Sequence, residues 1–207
     1  MKIKVCGMRD AANIRSVAEL KPDYMGFIFY NGSPRFAGDL SPVVTDGLSA
    51  EINKTAVFVD ESLQTVIDVL DQYNFDFVQL HGSESPQFCK QLRDHALVIK
   101  AFGVDENFDF GQLKKYKNKA DMFLFDTKTS QHGGSGQSFN WELLDKYDLE
   151  IPFFLSGGLS RENLGEVTGI IHPMLYGVDL NSRFEVSPGI KDIEKLNKAF
   201  SIIKQDI

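Results

Sequence analysis

Cysteine, tryptophan and histidine are scarce in this 207-residue chain: two cysteines, one tryptophan and four histidines. Cys6 and Cys89 are too few for a disulfide framework and show no metal-ligand spacing. Reduced thiols and a cytoplasmic location are therefore expected. Basic charge is also short, with 22 Lys and Arg against 29 Asp and Glu, a net charge of -7. No five basic residues run together, so the basic stripe of a nucleic-acid partner is missing. The densest cluster, Lys114, Lys115, Lys117 and Lys119, is interrupted by Tyr116 and Asn118 and reads as a solvated helix end. No stretch approaches the ~18 apolar residues of a membrane span. The alternating start, Met1 to Gly7, lacks the apolar segment of a signal peptide.

The chain does have hydrophobic residues, 43% of the total, with 17 Phe. That is an ordinary globular composition with enough length for a sizeable core. Short runs rich in Val, Ile and Phe predict strands at 2–6, 24–29, 54–59, 75–80, 97–102, 122–126, 152–156 and 175–180. Helix-like stretches fall between them, at 10–20, 40–50, 63–70, 84–93, 108–116, 141–147, 161–167 and 192–203. Strands alternating with helices mean a parallel sheet. Eight units of roughly 26 residues fit an α/β (β/α)₈ TIM barrel shorter than the usual ~250 residues. An open doubly wound sheet is the competitor, but no G-x-G-x-x-G follows the first strand. No linker interrupts the chain, so residues 1–207 are expected to form a single domain.

Such barrels carry their chemistry at the C-terminal ends of the strands. The polar residues there are Cys6, Gln79, His81, Asp126, Ser156-Gly157-Gly158, Asp179 and Asn181-Ser182. The run from Ser156 to Asn163 leads from the seventh strand into a helix. Its paired glycines allow close approach of a ligand, with Ser160 as the expected N-cap. The Asn181-Ser182 loop adds donors, and loops seven and eight are a common phosphate site in this fold. Lys4 shares a strand face with Cys6, so it is expected one layer below it, inside the barrel. An interior ammonium needs a counter-charge, either Asp126 or Asp179. With the first helix N-terminus, that cation would favour the thiolate and make Cys6 a base near neutral pH. The alternative is a packed, inert thiol. Asp126 ends an apolar strand and reads as either a site carboxylate or a cap for Thr127 and Lys128. Arg35 follows Pro34 and offers a planar fork for a carboxylate, or else merely solvates the surface. His81 is a ligand contact or a turn residue bonding the backbone. The Gly133-Gly134-Ser135-Gly136 loop reads as a lid or a plain connection, with His132 beside it.

Taken together, these segments resemble the phosphoribosylanthranilate isomerase family of tryptophan biosynthesis. The match runs from Lys4-Val5-Cys6-Gly7-Met8 through Ser33-Pro34-Arg35, Val78-Gln79-Leu80-His81-Gly82, Phe125-Asp126-Thr127-Lys128 and Leu155-Ser156-Gly157-Gly158-Leu159. It continues through Gly177-Val178-Asp179 to Pro188-Gly189-Ile190-Lys191-Asp192. The resemblance implies a cofactor-free, metal-free Amadori rearrangement of N-(5-phospho-ribosyl)anthranilate. It implies Cys6 as general base, Asp126 as general acid and Arg35 on the anthranilate carboxylate. Gly157-Gly158 and Asn181-Ser182 would hold phosphate, with Gln79, His81 and Asp179 as further substrate contacts. The partner is then a small phosphosugar, and the chain a monomer or homodimer. Arg183 departs from the pattern, standing where the family usually has glycine. Two alternatives are another phosphosugar barrel enzyme and a non-catalytic phosphate-binding barrel. A histidine-pathway isomerase would have Asp at the first strand end, and a ribulose-phosphate epimerase would need several His and Asp metal ligands.

Overall fold

The computed structural model describes residues 1–128 and 138–204. Eight parallel strands close into a barrel in chain order. They are β1 (Lys2–Cys6), β2 (Tyr24–Ile28), β3 (Asn53–Phe58), β4 (Phe77–Leu80), β5 (Leu97–Val104), β6 (Met122–Thr127), β7 (Phe153–Leu155) and β8 (Leu175–Leu180). Closure is made by β1 against β8, with Lys4 opposite Asp179. The open doubly wound sheet is thereby excluded.

Helices cover the outside: α1 (Ala11–Ala18), α2 (Pro42–Asp46), α3 (Leu63–Tyr73), α4 (Pro86–Leu92), α5 (Leu164–Thr168) and α6 (Ile193–Lys204). Local chemistry sets their ends. Ser62 caps α3 by accepting from the Thr65 N–H, and Asn74 ends it in the left-handed region at φ 50°. Val66, Leu70 and Tyr73 form its buried stripe. Ser85 caps α4 in the same way, with Pro86 starting the helix. These faces join the outward side chains of the strands in the main core. A second, smaller cluster lies in the barrel interior: Tyr24, Phe77, Ile99, Ala101, Met122, Leu124 and Phe154.

Several expected helices differ. After β5 and β6 the chain forms 3-10 turns, Phe110–Tyr116 and Trp141–Lys146. Gly111 weakens the first, and runs of six or seven residues rarely sustain an α-helix unaided. The helix expected over 40–50 shrinks to α2, started by Pro42 and ended by Gly47. The helix after β7 starts late, at Leu164, and Ser160 is not its N-cap. There the Asn163 side chain folds back instead, accepting from Ser160 N and donating to the Gly158 carbonyl. A small antiparallel hairpin, β9 (Glu185–Ser187) and β10 (Ile190–Lys191), was not expected. Its turn rests on Gly189 at φ 84°.

Candidate active site

The interior narrows around Gly26 on β2. A methyl group added there would lie 2.7 Å from Cys6 Sγ and 3.0 Å from Lys4 Nζ. Only glycine leaves room for both. Lys4 is fully buried, as its strand position requires, and its Nζ donates to Asp179 Oδ1 at 3.0 Å. The counter-charge is thus Asp179 rather than Asp126, because strand closure sets Asp179 directly opposite Lys4. Burial pulls the Lys4 ammonium down, but Asp179 and Cys6 hold it above its ordinary value.

The Cys6 thiol goes the other way from the expectation. Burial pushes it above its ordinary 9.0, although Lys4 and Lys191 both pull it down and Asp179 adds a smaller upward push. Two ammonium groups do not offset the loss of solvent around a fully enclosed sulfur. The helix terminus does not rescue it. Its α1 helix begins only at Ala11, and Asp10 already accepts from the Asn13 N–H.

The opposite wall carries Asp126 at the end of β6. Its Oδ1 accepts from Thr127 N at 2.8 Å, and its Oδ2 lies 3.2 Å from His81 Nε2. Thus Asp126 caps Thr127 and faces the interior at once. His81 Nδ1 in turn lies 2.9 Å from Gln79 Nε2. His81 therefore holds side chains on two strands rather than a turn carbonyl. Gln79 Oε1 is buried without a partner. Turning the Gln79 amide over lets that oxygen accept from Nδ1–H and leaves Nε2 as an acceptor facing Asp126. Asp179 links the two walls. Burial pushes its carboxyl up and Lys4 pulls it down, while Asp126 and His81 act on it from the other side.

Above these groups sit the loops. Gly157 and Gly158 have φ 85° and 64°. A methyl on Gly157 would meet Thr127 N at 2.4 Å and Asp126 Oδ1 at 2.6 Å, so this loop lies directly against Asp126. The Asn181 side-chain oxygen accepts from Lys191 Nζ at 2.7 Å, and its backbone carbonyl accepts from Phe184 N at 3.1 Å. Ser182 starts a short 3-10 turn, Ser182–Phe184. Arg183 lies within that turn and is not among the residues with positive φ, so it carries no left-handed strain. The Glu162 carboxyl is held below its ordinary value first by a hydrogen bond from Ser160 and then by a backbone hydrogen bond, with smaller pulls from Arg161 and Arg183.

Arg35 is largely buried and is not a solvating side chain. Its Nε and Nη2 grip Glu185, at 2.9 Å to Oε1 and 2.7 Å to Oε2. Its stem packs on Gly7, next to Cys6. Glu185 and Lys191 were not singled out from the sequence as site residues. The available signal was two charged residues flanking a Pro-Gly turn beside the eighth strand end. His132 and the 133–136 loop lie outside the described residues. Among the described residues, no group of three or more His, Cys, Asp or Glu could hold a metal ion. No described helix is long and apolar enough to cross a membrane.

A family model described as N-(5'phosphoribosyl)anthranilate (PRA) isomerase matches residues 3–201. The chain belongs to this family. A relative from Parabacteroides distasonis, named N-(5'-phosphoribosyl)anthranilate isomerase, is 43% identical over 200 residues. That match covers 95% of this chain and 90% of the relative. The crystal structure of phosphoribosyl anthranilate isomerase from Thermotoga maritima aligns with a TM-score of 0.90 at 31% identity, covering 99% of both chains. A further isomerase structure, 28% identical, aligns at a TM-score of 0.86 over 99% of both chains. It holds reduced 1-(o-carboxyphenylamino)-1-deoxyribulose 5-phosphate. Family membership agrees with the motifs and excludes the alternative isomerase and epimerase readings.

Proposed function

We propose that Cys6 and Asp126, on facing walls of one barrel mouth, are the base and the acid of the family's reaction. The chain is an isomerase of tryptophan biosynthesis. Its reaction converts N-(5-phospho-ribosyl)anthranilate into 1-(2-carboxyphenylamino)-1-deoxyribulose 5-phosphate. Asp126 gives its proton to the furanose ring oxygen, and the ring C–O bond breaks to leave an open-chain Schiff base. The cationic nitrogen acidifies the hydrogen on sugar C2. Cys6 takes that proton as thiolate, and the electron pair moves into an enolamine. Tautomerisation returns a proton to C1 and leaves the ketone. No proton is gained or lost overall.

The observation that carries this assignment is the contrast between the two groups. Cys6 is enclosed beside the Lys4 ammonium, whereas Asp126 is partly exposed and held by His81 and Thr127. Groups in such different surroundings can serve opposite proton transfers at one pH. The thiolate is a minor species, which suffices because the Schiff base has already weakened the C–H bond. Gly157, Gly158, Asn181 and Ser182 are the proposed phosphate cradle, Arg35 the proposed anchor for the carboxylate. Gln79, His81 and Asp179 complete the contacts. A single domain over 1–207 and a cytoplasmic location are part of the same reading. The closed barrel and the two unpaired thiols support it.

Cys6→Ser and Asp126→Asn test the assignment. Each is expected to lower kcat by about 10³-fold, within the usual range for one acid or base. Binding of the reduced product analogue is expected to change by less than about twofold, since neither change removes a proposed ligand anchor. Full activity in either variant would refute that residue's role.

A further inference from the structure

The guanidinium of Arg35 is already half spent. Its side-on edge, Nε and Nη2, is filled by Glu185, with Nε also 3.1 Å from Oε2. Among the described residues, no bond is recorded to Nη1. Glu185 cannot swing away to free the fork, because it is buried and held twice more. Lys191 Nζ donates to its Oε1 at 2.7 Å, and Gly189 N donates at 3.1 Å. Lys191 is itself enclosed and donates to Asn181 Oδ1 at 2.7 Å. Its backbone is clamped on both sides by Asn13, whose Oδ1 accepts from Lys191 N at 2.7 Å and whose Nδ2 donates to Lys191 O at 2.9 Å. The hairpin β9–β10 is thus fixed to α1 and meets the loop after β2 through Arg35.

Charge counting gives the arrangement a purpose. Arg35 and Glu185 alone would be neutral and would offer no net attraction to an anion. Lys191 adds one positive charge, so the cluster is left with room for one carboxylate. We infer that Glu185 and Lys191 are specificity-determining positioning residues for the carboxylate-bearing half of the substrate. Glu185 sets the plane of the Arg35 guanidinium, and Lys191 keeps the cluster cationic. The incoming carboxylate is received at the remaining, end-on edge of Arg35. This deepens the proposed function and rests on Arg35 as the carboxylate anchor. Burial pulls the Lys191 ammonium below its ordinary value against the pull of Glu185, so its place in the charge count rests on the two acceptors its Nζ meets, Glu185 Oε1 and Asn181 Oδ1. For Glu185 titration agrees with the count. Burial pushes its carboxyl up, but Arg35 and Lys191 hold it below its ordinary value, so it stays ionised.

The test compares two ligands differing only in the carboxylate. One is reduced 1-(o-carboxyphenylamino)-1-deoxyribulose 5-phosphate, and the other is its phenylamino counterpart. The ratio of their Kd values measures what the carboxylate contributes, and a merely structural defect leaves that ratio alone. In the unmodified enzyme the ratio is expected to be about 10- to 100-fold, the scale of hydrogen bonds to charged groups. Arg35→Met is expected to bring it near one. Lys191→Met and Glu185→Asp are each expected to cut it by roughly fivefold or more, since one removes the charge and the other shortens the brace. Glu185→Asp keeps the net charge, so it carries the test if Lys191→Met does not fold. A ratio unchanged in the folded variants while Arg35→Met abolishes it would overturn the inference and leave Arg35 as the anchor. A ratio unchanged in Arg35→Met would overturn the anchor itself, and the inference with it.

Discussion

On β6, Leu124 packs into the apolar cluster of the barrel interior, while Asp126, two residues on, faces His81. The same step recurs around the barrel. Tyr24 leads to Gly26, Phe77 to Gln79, Phe154 to Ser156 and Gly177 to Asp179. Two residues advance about 6.6 Å along a strand and keep the same face. One level therefore holds aromatic packing and the next holds polar chemistry. In the lower level, Tyr24 meets Phe77 and Phe154 edge-on, both with centroids 5.1 Å apart. Lys4, Asp179 and Cys6 are themselves buried and interact in a poorly solvated space, where pairing is strong and an unpaired charge is costly.

The comparison can be broken at either level. Phe154→Ala is expected to cost about 3–5 kcal/mol of stability, the usual range for deleting a buried ring. Its kcat at a temperature where it is folded should stay near the parent value. Denaturant melts and steady-state kinetics on the same sample would check both. Lys4→Met lies on the boundary and should fail in both respects. Removing one partner of a buried pair costs about 3–5 kcal/mol, here by leaving Asp179 uncompensated. It should also push the Cys6 thiol further up, because an ammonium that pulls it down is gone. The smallest expected effect is one of pH. A base must be deprotonated, so kcat/KM should rise with pH along the limb belonging to Cys6. That limb is expected above the ordinary 9.0 in the free enzyme, and higher still in Lys4→Met. Thiolate absorbance near the ultraviolet edge, followed against pH, reports the same group directly. A Cys6 limb below the ordinary value would contradict the burial argument.

Much of this was readable from residue order. Residues 2–6 and 175–180 were expected as strands and form β1 and β8 with those bounds. Apolar alternation and short bounding loops mark such strands clearly. The interior position of Lys4 followed from its two-residue spacing to Cys6, and its need for an anion followed from burial. The choice between Asp126 and Asp179 did not, because strand register across the closure is a property of the whole barrel. The sign of the Cys6 shift was misjudged for a related reason. Nearby cations are visible in the sequence, but the depth of enclosure is not. The Glu185 brace on Arg35 joins residues 150 apart in the chain. Its hairpin is too short to show a strand period, so only the folded barrel brings the two together.

The most direct test sets the two levels side by side. Single-turnover rates at saturating substrate and melting temperatures would be measured for Cys6→Ser and Phe154→Ala. The account predicts that Cys6→Ser slows the chemical step by about 10³-fold while melting near the parent temperature. It predicts that Phe154→Ala melts several degrees lower while turning over at close to the parent rate. A Cys6→Ser enzyme that reacts at the parent rate would contradict it.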